Sequence, residues 1–231
     1  MPTDHSQYFR SPKPRPIRPP KLHHATFMTV DVDAMVAFYE LVAGLQPVYY
    51  AAHAAWLTND EANHRIALLR LPGVHPPVDK PNSAGLHHTA FEYDSFDGWI
   101  DNYERLSEAG IEPTVSIDHG MTMSLYYQDP DGNGVEIQVD MFEDWAVSKE
   151  WMWASQEFSE DQVGPQFDPA KVLAAYRAGA TRQEVHARAR KGEFAPDRPR
   201  AVLTFDDPWP ARIAADPALA GGLPHGSTLE A

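Results

Sequence analysis

The 231-residue sequence predicts an α+β protein of two tandem βαβββ modules that form an open mixed-sheet barrel, followed by a helical C-terminal extension. Three observations carry that expectation. LHHATF at 22–27 returns as LHHTAF at 86–91, sixty-four positions on. Each copy is followed by a segment of helical periodicity that stops at a glycine, and each helix by three strand-like runs.

The elements follow in order. After the first His-His strand, DVDAMVAFYELVAGL places Met35, Val36, Phe38, Tyr39 and Val42 at helical spacing, with a stop at Gly44. After the second, DSFDGWIDNYERLSEAGI is helical again and closes at Gly110. Tyr39-Glu40 and Tyr103-Glu104 keep the offset of sixty-four, whereas Leu45-Gln46-Pro47 and Ile111-Glu112-Pro113 lie sixty-six apart. A two-residue insertion in the second helix or its cap accounts for the drift. VYYAAH, AWLTND and HRIALLRL then read as the strands of the first module, and TVSID, MSLYYQD and GVEIQVD as those of the second. The modules span about residues 21–72 and 85–142 of a domain covering 21–142.

Composition narrows the chemistry. With 43% hydrophobic residues the chain can bury one full core or two small ones. It has no apolar run long enough to span a bilayer and no basic-plus-apolar leader, so a cytoplasmic protein that keeps its N-terminus is expected. A net charge of −14 argues against nucleic acid or anionic membranes as partners, because both are bound through clustered Lys and Arg. The one basic stretch, SPKPRPIRPP at 11–20 with Lys13, Arg15 and Arg18, belongs to a Pro-rich arm over residues 1–20. There is no cysteine, which excludes disulfides, zinc–thiolate sites, iron–sulfur clusters and a cysteine nucleophile. Any metal must be held by His, Asp and Glu.

Strand alternation indicates where such ligands point. His24 shares a face with Leu22, Thr26 and Met28, and His88 with Leu86, Ala90 and Glu92, while His23 and His87 face the other way. In GVEIQVD, Val135, Ile137 and Val139 lie on one side and Glu136, Gln138 and Asp140 on the other. An interior presenting His24, His88 and Glu136 together would be a metal site around which the barrel closes. Two imidazoles and a carboxylate on one face of an octahedral ion leave three adjacent positions open, the arrangement associated with non-haem Fe(II) oxygenases. The turn QDPDGNG before the last strand marks the hairpin that aims Glu136.

Taken together, the paired modules, the recurring HATFMT and HTAFEY strands and the DPDG-type turn resemble the vicinal oxygen chelate superfamily, which includes glyoxalase I, bleomycin-resistance proteins and type I extradiol dioxygenases. The resemblance covers about residues 21–142. It implies His24 and His88, in preference to His23 and His87, and Glu136 as the metal ligands. Glyoxalase I adds a glutamate in the last strand of its first module, where aligning NHRIALL with NGVEIQV places Ala67. Three ligands match the extradiol enzymes. The resemblance further implies a pocket histidine at His64 in WLTNDEANHRIAL, a hydroxyl donor at Tyr126 in SLYYQDP and an acid/base histidine at His119.

The expected function is therefore an Fe(II)-dependent extradiol dioxygenase, with Mn(II) as the alternative metal, that cleaves a catechol-type aromatic ring with O2. Two rivals share the fold: a non-redox metal-dependent isomerase, epimerase or lyase, and a ligand-binding protein of the bleomycin-resistance kind. Members of the superfamily commonly associate through sheet edges, which implies a homo-oligomer.

The extension covers 143–231. FEDWAVSKEWMWASQEF carries enough apolar surface to dock a helix, either as a wrap or as a lid on the pocket. DPAKVLAAYRAGA opens on an Asp-Pro start, and TRQEVHARARKG holds a Thr-x-x-Glu capping box before its basic residues; both read as short surface helices. The tail from 195 is expected to be irregular and pinned by Phe205 and Trp209, with His186 and His225 as unconnected surface histidines.

Overall fold

A computed structural model describes residues 20–80 and 83–200. Lys13, Arg15 and Arg18 of the arm, and Phe205, Trp209 and His225 of the tail, lie outside the described residues. The chain divides into two units, Met1–Val78 and Asp79–Ala231.

The first unit runs β1 (Ala25–Met28), α1 (Val32–Ala43), β2 (Gln46–Ala51), β3 (Ala54–Thr58) and β4 (Ile66–Leu69). Its sheet has the order β1-β4-β3-β2, with β1 parallel to β4 and the remaining pairs antiparallel. Asp31 caps α1 by accepting the Ala34 N–H, and Gly44, at φ 66°, ends it in the left-handed conformation that glycine adopts without a Cβ clash. Met35, Tyr39 and Val42 on the inner face of α1 are fully buried, as are Leu57 of β3 and Leu68 of β4.

The second unit repeats the plan with β5 (His88–Tyr93), α2 (Phe96–Glu108), β6 (Val115–Asp118), β7 (Thr122–Gln128) and β8 (Gly134–Asp140) in the order β5-β8-β7-β6. Each sheet is an open, mixed sheet of four strands, the tandem βαβββ arrangement expected from the repeat. The helices start sixty-four residues apart, at Val32 and Phe96. The two-residue insertion therefore lies at the end of α2, where Ala109 and Gly110 follow the last turn.

Residues 143–200 belong to the second unit. They form α3 (Trp145–Ala154), α4 (Gln156–Glu160), α5 (Pro169–Arg177) and α6 (Arg182–Arg190). The Trp-rich segment is two helices instead of one, because Ser155, at ψ 121°, ends α3 and caps α4 with its side chain. The Asp168-Pro169 start of α5 and the Thr181/Glu184 capping box of α6 are both formed.

Trp99 anchors α2 on its sheet: it is fully buried and its Nε1 donates to the Ile137 carbonyl at 3.0 Å. Trp99→Ala is expected to destabilise the protein by about 3–5 kcal/mol, read as a lower urea midpoint.

Candidate metal and catalytic centre

In the second sheet, alternation separates two environments. Val135, Ile137 and Val139 of β8 and Met123, Leu125 and Tyr127 of β7 are buried in the core. Glu136, Gln138 and Asp140, with Thr122 and Tyr126 of β7 and Glu92 of β5, instead line a cleft of about 490 Å³. Trp145, Lys149 and Met152 of α3 complete its wall, together with His119 and Met121. Trp145 is held there by its Nε1–H, which donates to Glu92 Oε1 at 2.6 Å. Ser148 ties α3 to the sheet through a hydrogen bond to Asp140.

Strand register brings the predicted residues together. His88 pairs with Gly134 and Ala90 with Glu136, so His88 and Glu136 are diagonal neighbours on one face. His88 Nε2 lies 2.9 Å from Glu136 Oε2. Tyr126 is directly opposite Glu136 on β7 and donates its hydroxyl to Oε1 at 2.9 Å. His119 Nε2 is 2.8 Å from the same hydroxyl. His88, Glu136, Tyr126 and His119 thus form one hydrogen-bonded chain.

The electrostatics suit these roles. Burial pulls the Glu136 carboxyl upward, but hydrogen bonds from His88, Ser124 and Tyr126 outweigh it and leave the group below its ordinary value. Burial pushes the Tyr126 hydroxyl far above its ordinary value and the adjacent Glu136 adds to the shift, so the phenol stays a neutral donor. Burial also lowers His119, against opposition from Glu136, the Val163 and Gln162 backbone and Asp118.

The first unit carries its own cluster. His24 and His64 have ring centroids 4.3 Å apart. His23 joins them, with its Nδ1 at 3.0 Å from His24 Nδ1, and the three offer ligand atoms within 4.8 Å of one another. Alternation had sent His23 to the opposite face. β1 begins only at Ala25, so the strand pleat does not govern residues 23 and 24. Arg65 fastens the cluster by donating to the His23 carbonyl at 3.0 Å and to Asp60 Oδ2 at 2.9 Å. Burial, then the charges of His24 and His23, lower the His64 imidazole and favour its neutral form.

The equivalent of Glu136 in this unit is Ala67. Thr26 pairs with Ala67 as Ala90 pairs with Glu136, which fixes the correspondence by register. The Ala67 methyl group has no atom that can bind a metal, so this position offers no ligand.

The donor set fits a divalent transition metal. Two ligand atoms each about 2.1 Å from one ion and at right angles lie about 3.0 Å apart, close to the 2.9 Å between His88 Nε2 and Glu136 Oε2. Imidazole with carboxylate suits iron, manganese or zinc and disfavours the soft ions that require thiolate.

Fold and strand register define a class of paired βαβββ proteins, and the comparisons name it. The chain belongs to the Glyoxalase/Bleomycin resistance protein/Dioxygenase superfamily, whose pattern matches residues 21–137. It is 41% identical over 170 residues to biphenyl-2,3-diol 1,2-dioxygenase 3 of Rhodococcus globerulus, covering 74% of this chain and 89% of that protein. It is 39% identical over 186 residues to biphenyl-2,3-diol 1,2-dioxygenase 2 of the same organism, covering 80% and 97%. Among solved structures, a glyoxalase/dioxygenase from Nostoc punctiforme is 22% identical, with a TM-score of 0.44 over 55% of this chain and 99% of that one.

Several site residues escaped the sequence reading. Ser124 sits two positions before Tyr126 on the same face and hydrogen-bonds Glu136, a place that alternation could have revealed. His186 is not an unconnected surface histidine: its Nε2 lies 3.2 Å from the buried Asp118 carboxylate. Gly134 is required where β8 passes β5, since a Cβ there would meet the His87 carbonyl at 2.7 Å and His88 Cβ at 2.9 Å. Gly134→Ala should displace His88 and lower bound metal at least tenfold by elemental analysis, about the loss that disturbing a ligand's supports brings, with the circular-dichroism spectrum retained.

Proposed function

We propose that this chain is an extradiol dioxygenase that uses a divalent metal, Fe(II) in preference to Mn(II), to cleave the ring of an aryl-substituted catechol with O2. The observation that carries the reading is likeness to two biphenyl-2,3-diol 1,2-dioxygenases across 89% and 97% of their lengths. The His88–Glu136 pair beside an aromatic-walled cleft supports it. His24 is assigned as the third ligand because it stands in the first module where His88 stands in the second, sixty-four residues on.

A divalent metal held by these residues would supply Lewis-acid and redox chemistry, easing loss of a phenolic proton and the reaction with dioxygen. The remaining work falls to side chains. Tyr126, held neutral by burial, donates a hydrogen bond to negative charge that develops on substrate oxygen. His119 takes up or returns a proton at Nε2, the ring nitrogen that faces Tyr126. His64, kept neutral, is a second base on the first module. Met121, Trp145 and Met152 offer apolar surface for the substrate ring and its aryl substituent.

Among the described residues no helix is long and apolar enough to cross a membrane. Association into a homo-oligomer is supported by β2, the edge strand that exposes Val48, Tyr49 and Tyr50. Light scattering at one mass per chain would remove that part.

Glu136→Ala is expected to abolish metal retention and oxygen uptake together, read by elemental analysis and an oxygen electrode with 2,3-dihydroxybiphenyl. An active, metal-replete variant would refute the ligand assignment. Tyr126→Phe should keep the metal yet lower kcat by about 10- to 100-fold, because it deletes one hydrogen bond to the developing charge. A yellow ring-opened product from the wild-type chain separates the dioxygenase from the non-redox and ligand-binding readings.

A further inference from the structure

The backbone on both sides of His119 is gripped by the C-terminal extension. On one side stands Asp118, whose side chain is fully buried. His186 Nε2 of α6 lies 3.2 Å from its Oδ1, and Arg190 Nη1, also of α6, lies 3.5 Å from the same oxygen. Arg190 Nη1 further donates to the Asp118 carbonyl at 2.6 Å, and its Nε donates to Glu157 of α4 at 2.9 Å. The Asp118 N–H donates to the Pro165 carbonyl at 3.0 Å. Gly164, at φ 84°, passes so close that a Cβ would stand 2.0 Å from the Asp118 carbonyl oxygen. On the other side stands Gly120, at φ 88°, where a Cβ would meet the Trp151 ring of α3 at 2.2 Å. The Gly120 N–H donates to Asp118 Oδ1 at 2.9 Å, which joins the two sides.

We propose that the extension is a positioning element for His119, in which Arg190 and His186 act through Asp118 and Trp151 acts through Gly120 to aim Nε2 at Tyr126. This rests on the functional reading above for the identity of the reaction, though not for the geometry. Nε2 meets Tyr126 at 2.8 Å, so the orientation of the ring decides whether that contact forms. His186 and Arg190 are positioning residues: neither touches the cleft-lining atoms, and each fixes the segment that carries the ring.

The test compares Arg190→Gln and the milder His186→Ala with Val172→Ala, a fully buried α5 position that makes none of the Asp118 or Gly120 contacts above. Steady-state oxygen uptake is measured on iron-loaded full-length protein with 2,3-dihydroxybiphenyl, at a temperature where all variants are folded. The His119 tautomer is read by 15N NMR on the Zn(II)-substituted full chain. The clamp predicts kcat lower by about 10- to 100-fold in the α6 variants, with KM and bound iron within about twofold of wild type. It also predicts a single tautomer in wild type and a mixture in the variants. Unchanged kcat and tautomer in both α6 variants would overturn it. So would an equal fall in kcat for Val172→Ala, which would reduce the effect to general destabilisation. If wild-type protein consumes no oxygen with any catechol, the dioxygenase reading fails, while the tautomer spectra still decide the clamp.

Discussion

Parallel pairing of the first and last strand in each module is the constraint from which the site follows. In β5 and β8 it sets His88 against Gly134, and the period of two then puts Glu136 diagonally beside His88 on the polar face. Antiparallel pairing with β7 places Tyr126 opposite Glu136. A slip of one residue in β8 would turn Glu136 into the core and bring Val135 or Ile137 into the cleft. The hairpin opposes that slip. Asp129 Oδ1 accepts the N–H groups of Asp131 and Asn133, and Gly132 turns at φ 78°. Buried Trp99, bonded to the Ile137 carbonyl, holds the register from the opposite side.

Much of this was legible in the sequence because it depends on local period. The repeat of LHHATF, the glycine stops and the polar-apolar alternation of GVEIQVD each constrain the chain over a few residues. The two module helices, the eight strands and the face of Glu136 followed from them, whereas Tyr126 came from the family resemblance of SLYYQDP. Ala67 was legible for the same reason, since the last strands of the two modules align. His23 was misread because alternation was carried past the start of β1, where the chain is no longer pleated. Gly134 was hidden among the three residues GNG, of which the turn itself needs only Gly132; the other glycine answers to a neighbouring strand.

The extension was the least legible part, and the cause is physical. RQEVHARAR reads as a solvated basic helix, and most of it is one. Val185 and Ala189 are nevertheless buried, which turns His186 and Arg190 inward toward Asp118, sixty-eight and seventy-two residues away in sequence. No local pattern encodes a contact at that separation. A buried carboxylate without compensating partners would be costly, and Arg190 and the His186 ring supply them at Oδ1. The extension completes the second module, closing the edge of its sheet where the Phe167 N–H donates to the Ser116 carbonyl at 3.1 Å.

The two modules have diverged in what they contribute to proton handling. The first offers imidazoles from His24 and His64 and a methyl group at Ala67, while the second adds the carboxylate, the phenol and a half-buried histidine. Tyr126 has a single hydroxyl proton and two neighbours that can accept it. If it donates to Glu136, the contact with His119 is satisfied only when Nε2 carries a proton. If it donates to a neutral His119, Glu136 faces the phenol oxygen with no proton between them. A proton delivered to Nε2 removes the conflict, and within the functional reading a catechol hydroxyl is the group that can supply it. With Glu136 as the proposed metal ligand, His119 is the group the proposed reaction leaves free to change protonation state during a turnover. That division of labour requires the histidine to be held in one orientation while its charge changes, and the buried grip on Asp118 and Gly120 meets the requirement.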